Sequence, residues 1–159
     1  MKADVALESS EAIDQLHQRP GFLVRRANQI MASCFADAMA DLKITTTQYG
    51  ALVIIEANGS IDQVSLARHL RLDRSTTGLA IMNLEREGLI TRDQHPHDKR
   101  RRVVKLTRRG RAVLQKAHTR GETSRAQAMA IFTDREKQQF LKLIRKFVSA
   151  WDAHCPGEK

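Results

Sequence analysis

The chain has little of what staples, interrupts or anchors a fold. Its 159 residues include two cysteines, three prolines, one tryptophan, one tyrosine and five phenylalanines. Cys34 and Cys155 are far apart and fit neither a metal-type spacing nor a C-x-x-C motif, which excludes a disulfide framework and a zinc module and points to a reducing compartment. So few aromatics argue against single-stranded nucleic-acid binding, which relies on exposed stacking platforms. No apolar run exceeds five residues (ALVII, 51–55, is one), and the N-terminus carries Asp4 and Glu8 without an apolar core. Neither a membrane span nor a secretory signal is expected, and the chain reads as cytoplasmic. P-loop, G-x-G-x-x-G, G-x-S-x-G and H-E-x-x-H motifs are all missing, so the reading is a protein that is not an enzyme and needs no cofactor. His95-Pro96-His97-Asp98 could offer metal ligands, but no complementary cluster lies at a useful spacing.

What the chain does have is apolar residues enough for a core, 42%, and a net charge of +9 that is unevenly spread. Between Arg68 and Arg111 stand thirteen Lys or Arg against five Asp or Glu, which places +8 in that stretch and leaves +1 elsewhere. A local basic patch attracts a polyanion, because each neutralised phosphate releases condensed counterions. The charge peaks in DKRRRVVKLTRRG (98–110), and there it has a geometry. LITRD (89–93) and VVKL (103–106) alternate in the manner of strands around the turn-prone, cationic loop QHPHDKRR. Two short helical segments precede this hairpin, QVSLARHL (63–70) and RSTTGLAIMNLEREG (74–88), joined by only Arg71 to Asp73. Two short helices, a tight connection and a basic hairpin outline a winged helix-turn-helix, whose second helix enters a groove of double-stranded DNA.

Long helices flank this unit. From Pro20, apolar residues recur at Leu23, Ala27, Ile30, Cys34, Ala38 and Leu42. Thr45 with Gln48 predicts a capping box for a helix closed by Asn58-Gly59, Ser60 with Gln63 a cap for the next, and Asp73 a cap for a helix burying Thr77, Ala80, Ile81 and Leu84. Thr107 starts a helix reaching about Ile131, and Thr133 with Glu136 opens a last one striped by Phe140, Leu141, Ile144, Phe147, Val148 and Trp151. The expected fold is mostly α, with a minor sheet in the winged helix-turn-helix. Residues 1–44 form an arm and dimerisation helix, 45–106 the DNA-binding domain, and 107–159 the C-terminal dimerisation helices. The terminal stripes lack a complete core of their own, and a two-fold homodimer would cover them while supplying the second recognition helix that a two-fold DNA site requires.

These residues resemble the MarR-type transcriptional regulators. The pattern D-x-R-x-x-x-V-x-L-T-x-x-G is met by Asp98, Arg100, Val104, Leu106, Thr107 and Gly110, and LDRSTTGLAIMNLEREGLITR and LKITTTQYGALVII have the cadence of the family's recognition and second helices. The chain departs from the pattern at Leu79, where many relatives carry a basic residue. The resemblance implies that Arg74, Ser75 and Thr76 face the major groove and that Gly78 permits close approach of the backbone. It also implies that Arg100 enters the minor groove at the wing tip with Asp98 orienting it, and that Arg101, Arg102 and Lys105 meet phosphates. It further implies a repressor released by a small aromatic carboxylate or phenolic effector. RPGFLVRRANQI is similar to the first helix of relatives controlling aromatic-acid catabolism, and Arg25, Arg26, Asn28 and Gln29 offer suitable guanidinium and amide donors, although ordinary surface polarity explains them equally. Cys34, on an apolar stripe, is of a kind more often inert than reactive, and a thiol-sensing repressor stays open as the alternative, as does a nonspecific architectural DNA binder.

Overall fold

Side-chain caps set where the helices begin. The computed structural model describes the backbone of residues 11–95 and 98–154 and the side chains of 11–94 and 102–152. Helix α1 covers residues 11–18 and α2 spans Pro20–Ala38, with Pro20 in the first turn, where its missing N–H costs nothing. Helix α3 (Thr46–Asn58) opens on a complete capping box: Gln48 N donates to Thr45 Oγ1 at 3.2 Å while Thr45 N donates to Gln48 Oε1 at 2.8 Å. It closes at Gly59, whose φ of +66° is a conformation natural to glycine.

The next helix begins at Gln63 as the sequence predicts, but on a different cap. Residues Ile61–Asp62 form a short strand, β1, and α4 (Gln63–Leu70) is capped by Asp62 rather than Ser60, with Oδ1 accepting from Val64 N and Ser65 N, each at 3.1 Å. The reason is the ladder. Ile61 and Asp62 pair with Val104 and Val103, which draws the chain out of helical geometry until residue 63. Helix α5 (Arg74–Arg86) follows after Arg71 turns left-handed at φ 55°. It buries Thr77, Ala80, Ile81 and Leu84, as the periodicity requires.

Strands β2 (Ile90–His95) and β3 (Asp98–Leu106) form the hairpin, with Ile90 opposite Leu106, Arg92 opposite Val104 and a register shift at Gln94/His95. The sheet order is β1-β3-β2. Helices α6 (Arg108–Ala128) and α7 (Asp134–His154) complete the chain, and α7 opens on the expected box, with Thr133 N donating to Glu136 Oε2 at 2.8 Å. One core holds α3, α4, α5, the sheet and the start of α6 together through Leu52, Ile55, Leu66, Ile81, Leu84, Ile90 and Leu114. The mostly helical, winged-helix architecture is therefore the expected one. Helix α2 lies along α6, yet α2 and α7 contain no buried residue among those described.

Candidate nucleic-acid interface

The start of α5 is built by Asp73. Its Oδ1 accepts from Thr76 N at 2.8 Å and its Oδ2 from Thr76 Oγ1 at 2.7 Å, so the carboxyl is held below the usual carboxylate range by the Thr76 hydroxyl first and the backbone amide second. Thr77 Oγ1 donates to the Asp73 carbonyl at 2.9 Å from within the core. This fixes Arg74, Ser75 and Thr76 at the exposed head of the helix, where backbone N–H groups favour an anion. Arg74 and Ser75 point their side chains to solvent, whereas the Thr76 hydroxyl has already given its proton to the cap. The open side of Gly78 faces the protein. A Cβ added there would lie 3.1 Å from Gln63 Nε2, the amide that donates to the Arg74 carbonyl at 3.3 Å. Gly78 thus lets α4 hold the first turn of α5.

The hairpin stands beside α5 and is braced to it: Arg92 Nε on β2 meets Glu85 Oε2 on α5 at 2.7 Å. Of the expected wing residues, Arg102 lies opposite Gln94 with its side chain exposed, and Lys105 Nζ sits 3.2 Å from Asp93 Oδ2 across the ladder. Asp98, Arg100 and Arg101 lie on β3, but their side chains fall outside the described residues, as do Pro96 and His97 of the possible metal motif. Among the described residues no group of three or more His, Cys, Asp or Glu could hold a metal ion.

The root of the wing explains the L-T-x-x-G pattern. Thr107 Oγ1 lies within donating distance of two carbonyls, Gly88 O at 2.8 Å and Leu89 O at 3.2 Å, and accepts from Gly110 N at 2.9 Å. A Cβ on Gly110 would sit 2.0 Å from Leu89 O, so only glycine fits. Sequence reasoning missed the Glu85–Arg92 brace, the Asp93–Lys105 pair and the Gln63 amide. Only the mid-helix glycine hinted at the last of these.

The model of the MarR family matches residues 44–101, the span from the start of the helix-turn-helix unit into the wing. The transcriptional regulator HosA of Escherichia coli O111:H- is 30% identical over 107 residues, 67% of this chain and 79% of its own. The chain belongs to the MarR family. The homoprotocatechuate degradative operon repressor of Escherichia coli is 28% identical over 147 residues, covering 90% of this chain and 99% of its own. A solved structure addressing how 6-hydroxynicotinic acid regulates DNA binding by BpsR of Bordetella bronchiseptica superposes at a TM-score of 0.78 with 25% identity, over 83% of this chain and 94% of that one. This MarR-family chain is accordingly a transcriptional regulator with a winged-helix DNA-binding fold, not an enzyme. No helix among its described residues is long and apolar enough to cross a membrane.

Away from the winged helix, α2 and α6 leave between them a cleft of about 450 Å³ lined by Cys34, Asp37, Arg120, Thr123 and Gln127, among others. Arg120 is paired with Asp41, which holds the Asp41 carboxyl low and the guanidinium high. Beside it, Tyr49 Oη lies 2.9 Å from His118 Nδ1, and burial pushes the Tyr49 hydroxyl up. The four expected effector residues are not in this cleft. Arg25, Arg26, Asn28 and Gln29 are exposed on the earlier turns of α2, with Arg26 Nη1 donating to Gln29 Oε1 at 3.0 Å and the Arg25 guanidinium 4.7 Å from the centre of the Phe22 ring.

Proposed function

We propose that this MarR-family regulator is a repressor that binds a pseudo-palindromic operator as a homodimer and leaves it when a small aromatic acid binds. The observation carrying this reading is the head of α5: Arg74 and Ser75 exposed on a helix start clamped by Asp73, next to a basic hairpin tied to the same helix through Glu85 and Arg92. Residues 45–106 act as the DNA-binding domain, 1–44 and 107–159 as the dimerisation segments. Arg74, Ser75 and Thr76 address the major groove, Arg100 with Asp98 the minor groove, and Arg101, Arg102 and Lys105 the phosphates. The uncovered apolar faces of α1, α2 and α7 support the dimer.

Two similarities support the effector class: BpsR with 6-hydroxynicotinic acid, and the repressor of a homoprotocatechuate operon. Arg25, Arg26, Asn28 and Gln29 supply donors for a carboxylate and a ring substituent, and a second copy of the chain would supply the missing walls. Such an effector acts only through a higher affinity for the DNA-incompetent dimer, and a coupling of about 1 to 3 kcal/mol lowers operator affinity roughly 5- to 150-fold. Footprinting upstream of the gene for this chain, repeated with a panel of hydroxylated aromatic acids, tests the whole reading. Arg100→Ala should abolish the footprint, and Lys105→Ala should weaken operator and scrambled duplex alike, flattening the salt slope by about one unit. Unchanged operator affinity in Arg100→Ala counts against the wing assignment. Cys34 lines the cleft, which favours one second reading, a thiol sensor. Release by peroxide but by no aromatic acid, lost in Cys34→Ser, would establish it.

A further inference from the structure

The outward face of α5 contains a side chain that neither the core nor hydrogen-bonded base readout explains. Leu79 is 56% exposed and Met82, three residues on, is 48% exposed, while the opposite face buries Thr77, Ala80, Ile81 and Leu84. Single apolar residues on a surface are ordinary. The position of this one is not. Leu79 is four residues after Ser75 and three after Thr76, so it stands one turn along the same face as the exposed head of the helix. Arg86, seven residues on, closes that face, and Arg74 stands at the exposed head of the helix, both within the stretch of charge +8. The helix therefore presents positive charge at its head and far end and, between them at Leu79, an apolar side chain.

A leucine side chain has neither donor nor acceptor, so it cannot read a base edge through hydrogen bonds. The major groove presents one apolar group, the 5-methyl of thymine. We propose that Leu79 determines part of the operator specificity by packing against a thymine 5-methyl group in each half-site. This rests on the reading of α5 as the helix that enters the groove. It assigns a base preference to a residue one turn beyond Arg74, Ser75 and Thr76.

The test uses duplexes selected by the full-length protein from a random 30-base-pair pool, then resynthesised with single thymines replaced by deoxyuridine, which pairs identically and lacks only the methyl. At one thymine in each half-site the replacement should weaken wild-type binding about fourfold, the effect of one buried carbon, and about sixteenfold when both half-sites are changed. Leu79→Ala should bind the thymine duplex as weakly as wild type binds the doubly substituted one, and should be indifferent to the replacement. Leu79→Arg should select guanine at the same position, through the O6 and N7 acceptors. Since Leu79 is on the surface, both variants should melt with the wild type. The proposal is overturned if no thymine is sensitive, if Leu79→Ala keeps the sensitivity, if Met82→Ala rather than Leu79→Ala loses it, or if Leu79→Ala changes the oligomeric state. Failure of the pool to yield any enriched duplex would overturn the DNA-binding reading itself, which separates the two failures.

Discussion

The winged-helix unit and the helices on either side of it follow the same amphipathic rule and end differently. In the centre, Leu52, Ile55, Leu66, Ile81, Leu84 and Leu114 are sealed from solvent, each stripe finding a neighbour within the chain. On the flanks, Ile13, Leu16, Leu23, Val24 and Ile30 of α1 and α2, and Phe140, Leu143, Phe147 and Trp151 of α7, remain open, Trp151 by 65%. Phe140 stacks on Phe132, and Arg71 pairs with Asp152 at 3.5 Å, but neither contact covers the stripe. Periodicity therefore announces that a face will be buried and leaves open whether the cover is the same chain or another. Full burial is worth about 1.5 to 3 kcal/mol for each large side chain, so the α7 face is a strong reason for association.

Substitutions can break this contrast, and the largest effect should come from the joint inside the central unit. Gly110→Ala forces a methyl against the Leu89 carbonyl, which both backbones resist; a loss of about 4 kcal/mol or more is expected, and denaturant unfolding measures it. A variant as stable as the wild type would mean that this joint yields. Leu84→Ala opens a cavity at a fully buried site and should cost about 2 to 5 kcal/mol at any protein concentration. Phe147→Ala and Trp151→Ala behave differently. Each should weaken association by about 2 kcal/mol, so light scattering shows dissociation on dilution and the melting temperature becomes more concentration-dependent. Loss of stability independent of concentration would instead assign α7 to the core of a single chain.

The smallest effect concerns a cap. Asp73→Ala should lower stability at neutral pH by removing the cap, while Asp73→Asn, which caps without ionising, should lower it less. The Asp73, Asp41 and Glu136 carboxyls all lie below their ordinary values in the folded chain, held by Thr76, Arg120 and Thr133 respectively. Depressed values mean that their contribution is present above the ordinary carboxylate range, about pH 4, and is lost as pH falls through and below it. Melting curves between pH 7 and pH 3 should show that loss in the wild type. Asp73→Asn should show a shallower acid limb, and an identical limb would remove Asp73 from the account.

The elements legible in the sequence were those specified locally. Thr45 with Gln48, Asp73, Thr107 and Thr133 with Glu136 each mark a helix start within four residues, and the alternation in LITRD and VVKL marks the hairpin. The start of α4 at Gln63 was legible but its cap was not, because Ile61 and Asp62 answer to Val104 and Val103, more than forty residues later, and a two-residue strand has no period. The first long helix was read through to Leu42 but ends at Ala38, where the chain turns to bury Met39. In the interface, the head of α5 was legible because a cap and a short connector define it. Glu85 with Arg92 and Gln63 with Gly78 were not, since nothing in either member of a pair points to the other.

The Thr107 hydroxyl and the bare Gly110 backbone bind the entry of β2, the exit of β3 and the first turn of α6 into one solid piece. Helix α6 is then the shaft of a lever. It is 21 residues long, about 31 Å at 1.5 Å per residue, with the α2 cleft towards its far end and the wing and α5 fixed at the near end. A tilt of roughly 5° in such a shaft displaces one end by roughly 3 Å relative to the other, close to the rise of one base pair in DNA. Among the described residues no compliant loop stands at this root, so a tilt of α6 against α2 would reach the wing and α5 as a displacement of that size.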